Sequence, residues 1–360
     1  MIQNNRAGFA GGINIMKNSE YRELRKKTLD SLKRVDNTLW MMEYFSPYGL
    51  DALLAEGKTS LLGAVSFLQK EVKFPHLIPD PAHGGFACST FNAKTPAGDC
   101  ILARNFDFKE APCTVVWTHP QNGYRSMAVA DNTFFAYGIK HLPLEKRKVP
   151  KRVMAAPYAS MDGINEKGLA CAVLEIKAKP TKQQTGKTPI MTMVALRAIL
   201  DKCATVGEAV EFLRGYDMRD LLGVNYHYHF ADVSGGSVLV EYVNNEMYVI
   251  NPAAQGAPQV LTNYFLTEGG DNSREMGRDR FENISCALEK SGGIMTEADA
   301  MKVLSENTLS YHHDWMPHMV YTLWSNVFNL TQRSMILCAG MDYTKTYRFT
   351  LDAPCRAELL

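Results

Sequence analysis

Residues 84–107 read Gly84-Gly-Phe-Ala-Cys88-Ser-Thr-Phe-Asn-Ala-Lys-Thr-Pro-Ala-Gly-Asp-Cys100-Ile-Leu-Ala-Arg104-Asn-Phe-Asp107. Before this stretch, residues 74–81 carry three prolines in eight residues, which forbids regular structure. After Cys88 the pattern becomes short strands. The Pro96-Ala-Gly-Asp99 turn predicts a hairpin in which the strand Ile101–Asp107 returns alongside strand 86–91. A cysteine at the start of such a hairpin is a candidate nucleophile. It needs a base, a route to the thiolate and donors for an oxyanion. A free thiol has a pKa of about 8.5, and no histidine follows Cys88 before His119. If the bond after Ala87 is cut, Cys88 gains an α-amine with a pKa of about 7.7–8.0, which can take the thiol proton. The Gly84-Gly85 pair and the proline linker predict an exposed, distorted scissile bond.

Arg104 and Asp107 lie on the returning strand, where Arg104 favours the thiolate by charge and Asp107 holds the new α-ammonium. Strand alternation puts the two on opposite faces unless a bulge or a strand end intervenes.

Outward from this hairpin, residues 17–70 read as helical, through Tyr21, Leu24, Leu29, Leu32, Val35 and Leu39 and then about Leu50 to Leu68. Further strands are expected at 114–118, 125–129, 169–175, 226–232, 237–242, 246–250, 259–263 and across 319–351. Helices are expected at 189–203, 206–214, 277–290 and 296–305. Asn122-Gly123 and Asp162-Gly163 read as turns. Strand groups separated by helix groups predict α+β layers. The division is a helical prosegment over 1–87, its linker at about 74–87, and a catalytic domain over 88–360.

Composition sets the outer bounds. The 360 residues are 46% hydrophobic and carry a net charge of +1, so no global field draws nucleic acid or anionic membrane. No apolar run is long enough to span a bilayer, and the N-terminus lacks a secretory signal. Eight cysteines with no CxxC pair read as reduced thiols of a cytoplasmic protein. His227 and His229 share a strand face, and His312, His313, Asp314 and His318 form a cluster. Neither has zinc spacing, so no metal and no cofactor are expected.

Cys88-Ser-Thr with Ala103-Arg104-Asn105-Phe106-Asp107 resembles the linear amide C–N hydrolases, the choloylglycine hydrolase family. So do Asp162-Gly-Ile-Asn-Glu-Lys-Gly-Leu169, Leu261-Thr-Asn263 and Asp279-Arg280-Phe281, in that order along the chain. The resemblance implies a four-layer αββα N-terminal-nucleophile (Ntn) hydrolase fold, here preceded by the helical prosegment. It implies catalytic roles for Cys88, Arg104, Asp107, Asn263 and Arg280, with Asn263 in the oxyanion hole. Bile-salt hydrolases carry an oxyanion-hole Asn where this chain has Glu175. That Glu and the long prosegment resemble the acid ceramidase and N-acylethanolamine acid amidase branch. A carboxylate donates to an oxyanion only when protonated, so Glu175 either has a raised pKa or plays another part. The expected activity is autoprocessing at Cys88 and cleavage of a small-molecule N-acyl amide with an apolar acyl group. The expected assembly is a processed heterodimer or a homo-oligomer. Alternatives are an acyltransferase, a non-catalytic binding protein on the same scaffold, and a papain-like Cys–His protease. Trp117, Phe134, Phe135 and Tyr137 are candidates for the acyl pocket.

Overall fold

The strand Cys100–Phe108 is buried along its whole length, although three of its nine residues are Arg104, Asn105 and Asp107. Buried charge is tolerated only when it is paired, so the fold must bring partners to both faces of this strand.

The computed structural model describes residues 18–71, 87–108, 112–135, 151–220, 225–311 and 319–360. Residues 72–86, which hold nearly all of the linker expected at about 74–87, lie outside the described residues, as do Tyr137, His312, His313, Asp314, His318 and the side chains of Phe134 and Phe135. Before the linker come α1 (Asn18–Ser31), β1 (Lys33–Arg34), β2 (Leu39–Tyr44), α2 (Leu50–Ala55) and α3 (Leu61–Glu71). After it come β3 (Ala87–Lys94), β4 (Cys100–Phe108), β5 (Cys113–Thr118), β6 (Ser126–Asp131), β7 (Ser160–Asn165), β8 (Ala170–Ile176) and β9 (Pro189–Ile190). Then follow α4 (Thr192–Lys202), α5 (Val206–Arg214), β10 (Asp217–Met218), β11 (Asn225–Ala231), β12 (Ser237–Val243), β13 (Glu246–Ile250) and β14 (Val260–Leu261). The chain closes with α6 (Arg278–Ser291), α7 (Glu297–Glu306), β15 (Ser310–Tyr311), β16 (Val320–Asn329), β17 (Ser334–Ala339), β18 (Thr346–Thr350) and β19 (Glu358–Leu359).

Two large sheets face each other. One runs β1-β2-β5-β6-β7-β8-β11-β12-β13 and the other β14-β3-β4-β16-β17-β18-β19, with β15 paired to β16. Helix α4 packs on β7 and β8, and α5 on β11 and β12. Helix α6 packs on β14 and β3, and α7 on β4 and β16. The result is the expected four-layer α+β sandwich. Leu102, Phe106, Val129, Leu174 and Trp324 belong to the large core between the sheets. Phe91, Ile101, Ala103, Ile284, Leu288 and Leu304 form a second core under α6 and α7. All eight cysteines are free, and among the described residues no helix is long and apolar enough to cross a membrane.

Two expectations are corrected. The helical reading of 17–70 fails at Leu39–Tyr44, which is a strand paired in parallel with β5 from Leu39↔Cys113 to Tyr44↔Thr118. Its sequence Leu-Trp-Met-Met-Glu-Tyr is nearly all apolar because neighbours cover both faces, so it shows no alternation. The Tyr44 hydroxyl donates to the Met154 carbonyl at 2.9 Å, and the Tyr48 hydroxyl donates to Asp201 at 2.5 Å. The segment before the linker is thus built into the sandwich. Asp162-Gly163, read as a turn, lies inside β7. Gly163 is there because a Cβ would stand 2.8 Å from Ala128 Cβ and 3.0 Å from Leu200 Cδ1, so only glycine lets α4 approach.

Candidate active site

The hairpin β3–β4 sets the register. Ala87 lies opposite Asp107, Cys88 opposite Phe106 and Thr90 opposite Arg104. Alternation then sends Cys88, Arg104 and Phe106 toward the facing sheet, and Asp107 toward the helices. The Arg104 guanidinium passes Nη2 to Cys88 Sγ at 3.5 Å and to the Val173 carbonyl at 2.6 Å. Its Nη1 donates to Asp162 Oδ2 and to the Met161 carbonyl, both at 2.6 Å.

The helix side serves the backbone of the same residue. Strand β14 pairs with β3 through Val260↔Phe91 and Leu261↔Thr90, which brings Asn263 beside Cys88. Asn263 Oδ1 accepts the Cys88 N–H at 2.6 Å, and its Nδ2 donates to the Glu175 carbonyl at 2.7 Å. Arg280, in the first turn of α6, donates Nη2 to the Cys88 carbonyl and to Asn263 Oδ1, each at 3.2 Å. Its Nη1 donates to Asp107 Oδ2 at 2.5 Å. Gly277 ends the approach to α6 at φ +75°, and a Cβ there would sit 3.0 Å from Arg280 Nη2. The glycine supplies both the left-handed turn and the room for the guanidinium.

Strand β16 partners both faces through a bulge. Thr322 lies opposite Asp107 and Trp324 opposite Phe106, so Leu323 is the extra residue. Thr322 donates its hydroxyl to Asp107 Oδ1 at 2.6 Å. Trp324 turns the other way, stacks on Phe106 with centroids 3.9 Å apart and donates its indole N–H to Asp162 Oδ2 at 3.1 Å. Asn326 completes the set on Asp162 Oδ1 at 2.9 Å.

Burial pushes the Cys88 thiol up, and Arg104 draws it back down. Burial likewise raises Asp107 against the pull of Arg280 and Thr322, and Asp162 against that of Arg104, Trp324 and Asn326. Ala87 and Cys88 have no exposed surface. The 87–88 bond, expected to be the one cut, therefore lies buried at the start of strand β3, against the expectation that the glycine pair would leave it exposed and distorted. The long hydrogen-bonded ladder of β3 continues to Ala87 and fixes that bond in place.

The remaining candidates divide. Glu175 is buried and ion-paired with Lys177, and it is its backbone carbonyl that meets Asn263. Trp117 is a core residue: it has no exposed surface, its indole donates to the Thr350 carbonyl at 2.9 Å, and it packs on Phe349. His229 is held neutral by burial, down to about 3, between the hydroxyls of Thr90 and Ser237. His227 meets Glu241 at 3.3 Å. Among the described residues no three metal-ligating side chains converge. The sequence reading missed Thr322, Trp324 and Asn326, and took Asp162 for a turn residue. The available signal was the polar residues Thr322, Ser325, Asn326 and Asn329 interspersed in an otherwise apolar strand.

Residues 88–264 match the model of the linear amide C–N hydrolases, choloylglycine hydrolase family. Penicillin V acylase of Pectobacterium atrosepticum is 28% identical over 181 residues, which is 45% of this chain and 45% of that protein. The chain thus spans about half the length of the curated relative it matches. Among solved structures it is similar to a mutant conjugated bile acid hydrolase from Clostridium perfringens, at a TM-score of 0.53 and 16% identity, over 76% of this chain and 96% of that one. It is also similar to penicillin V acylase from Agrobacterium tumefaciens, at 0.52 and 19%, over 70% and 83%. At these identities the two structures show a shared fold.

Proposed function

We propose that this chain, which over residues 88–264 belongs to the linear amide C–N hydrolases of the choloylglycine hydrolase family, is an autoprocessed cysteine Ntn amidohydrolase. One observation carries the reading: the sulfur, nitrogen and carbonyl oxygen of Cys88 each have a dedicated buried partner, Arg104, Asn263 and Arg280.

In the precursor, the Cys88 sulfur adds to the Ala87 carbonyl, and the 87–88 C–N bond breaks. The acyl group passes to sulfur as a thioester, and the nitrogen leaves as the α-amine of Cys88. Water then cleaves the thioester, which returns the thiol and gives Ala87 a carboxylate. Asn263 Oδ1, already on that nitrogen, holds the new amine, and Asp107 lies across from the place that Ala87 vacates.

In the mature enzyme the amine takes the thiol proton and the thiolate, beside Arg104, attacks a substrate amide. Asn263 Nδ2 and a backbone N–H near residue 175 stabilise the tetrahedral oxyanion, so Nδ2 must exchange the Glu175 carbonyl for substrate oxygen. The amine product leaves with the proton, and water attacks the acyl-enzyme with the α-amine as base. No step needs a cofactor. The substrate class is a linear N-acyl amide with an apolar acyl group.

Intact-mass analysis of the expressed chain beside Cys88→Ala tests this, followed by a panel of bile conjugates, penicillin V, N-acylethanolamines and N-acyl amino acids. The wild type is expected to give a fragment beginning Cys-Ser-Thr-Phe and to release amine from at least one class. Cys88→Ala is expected to stay whole and inert. A wild-type chain that turns substrate over while uncut refutes the mechanism.

A further inference from the structure

The sheet-side partner of Arg104 stands outside the mechanism just described. Asp162 has no exposed surface. Both its oxygens are engaged: Oδ2 by Arg104 at 2.6 Å and Trp324 at 3.1 Å, Oδ1 by Asn326 at 2.9 Å. The guanidinium it holds has a second claimant, the Cys88 sulfur, 3.5 Å from Nη2. A buried guanidinium keeps its proton, so its single positive charge is divided between a carboxylate and a thiolate.

We propose that Asp162 is a positioning residue for the nucleophile: it fixes the Arg104 guanidinium with Nη2 on Cys88 Sγ and, as the nearer counter-ion, limits how far Arg104 acidifies the thiol. The inference rests on Cys88 being the nucleophile. A thiolate that is too strongly stabilised attacks poorly, because nucleophilicity falls with basicity. A shared counter-ion keeps the sulfur both ionisable and reactive.

Among the described residues, ionisable groups around the pair include Asp107 on β4, Arg280 on α6, Tyr226 on β11, Glu175 and the Cys171 thiol on β8, and the Cys113 thiol on β5; Glu175 is ion-paired with Lys177. Burial raises Tyr226, Cys171 and Cys113, so these stay neutral near neutral pH. Asp107 is taken up by Arg280. Asp162 is thus the anion that competes directly for Arg104.

The substitution Asp162→Asn is well suited to the test. Asn326 Oδ1 has no hydrogen-bond partner among the described residues, so its amide can flip to accept from the new Asn. Arg104 and Trp324 still find an oxygen, so the shape is kept and the charge is lost. The rate of iodoacetamide labelling of residue 88 is followed against pH, by mass spectrometry of the peptide carrying it. In Asp162→Asn the midpoint is expected to fall by roughly one unit, because the thiolate becomes the remaining counter-ion of Arg104. The acid limb of kcat/KM should move with it. A midpoint that is unchanged or higher overturns the proposal, whatever happens to thermal stability.

Should that variant not fold, Trp324→Phe keeps the stack on Phe106 and removes one donor from Asp162. More carboxylate charge then faces Arg104, and the midpoint must rise by about a few tenths of a unit. No rise overturns the proposal. Labelling is read on the processed chain, where residue 88 is the N-terminus, and requires no substrate; a chain that is never cut shows in the intact mass beforehand, so the two readings fail separately.

Discussion

The two faces of β4 carry the same device turned inside out. On the helix side β4 supplies the acid, Asp107, and α6 the guanidinium, Arg280, at 2.5 Å. On the sheet side β4 supplies the guanidinium, Arg104, and β7 the acid, Asp162, at 2.6 Å. Strand β16 adds a donor to each acid, Thr322 on one side and Trp324 on the other. The difference lies in what each pair touches. The helix-side cation meets the carbonyl of residue 88, and the sheet-side cation meets its sulfur. A third buried pair, Arg197–Asp201 at 2.7 Å, holds Tyr48 and Ser126. A buried ion pair is therefore no mark of a site by itself, and contact with the proposed nucleophile, Cys88, is what separates the first two from the third.

The largest expected effect lies on the helix side. Asn263→Ala removes the donor assigned to the oxyanion, so kcat should fall by about 10²- to 10³-fold with little change in KM. Cleavage at 87–88 should slow as well, because the same side chain holds that nitrogen. Steady-state kinetics and a processing time course check this. If only processing slows, the helix side serves maturation and not turnover.

Thr322→Val is milder. It strips one donor from Asp107 and leaves a buried carboxylate oxygen unsatisfied, at a cost of about 1–3 kcal/mol seen in urea unfolding. Activity should drop only a few fold, because Arg280 still holds the acid. A drop as deep as that of Asn263→Ala would mean that the bulge, and not the ion pair, carries the helix side.

The smallest effect on activity is expected at a buried acid that borders neither face. Asp220 takes donors from Thr192, and its Oδ2 has no partner among the described residues. Burial pushes its carboxyl up from 3.8 to about 7. Between about pH 4 and 7 the native state then binds one proton more than the unfolded chain, so stability falls as pH rises through that window. His229 acts in the opposite sense. It is lowered from 6.5 to about 3, so it costs stability as pH falls below about 6.5. The two nearly offset each other. Asp220→Asn should raise stability above pH 7 by about 1–3 kcal/mol and expose a steeper loss below pH 6.5. Urea midpoints from pH 4 to 8 check this, and curves parallel to wild type would show that Asp220 is charged in the native state.

What could be read in advance follows from range. Cys88, Arg104 and Asp107 lie on one hairpin, and alternation alone assigns Arg104 and Asp107 to opposite faces. Read from the sequence, that is an objection to a shared site; in the structure the two faces reach different atoms of Cys88, its sulfur through Arg104 and its carbonyl through Arg280, the partner of Asp107. Asn263 and Arg280 stand at a strand end and a helix start, far along the chain from the hairpin, and only the resemblance to the family singled them out. The bulge at Leu323 left no local signal, because an extra residue is defined only by its partner strand. Gly163 misled for a physical reason: Asp-Gly favours turns, but here the missing side chain admits a helix. Strand β2 was hidden because burial on both faces erases its period.

Strand β2 also bears on the life of the molecule after maturation. If the bond after Ala87 is cut as proposed, the parallel pairing of Leu39–Tyr44 with β5 joins two separate polypeptides. Folding of the newborn chain is unimolecular, whereas recovery after denaturation would require two fragments to meet. The mature protein would then refold at a rate that depends on its concentration, and its lifetime would be set by how slowly it first comes apart.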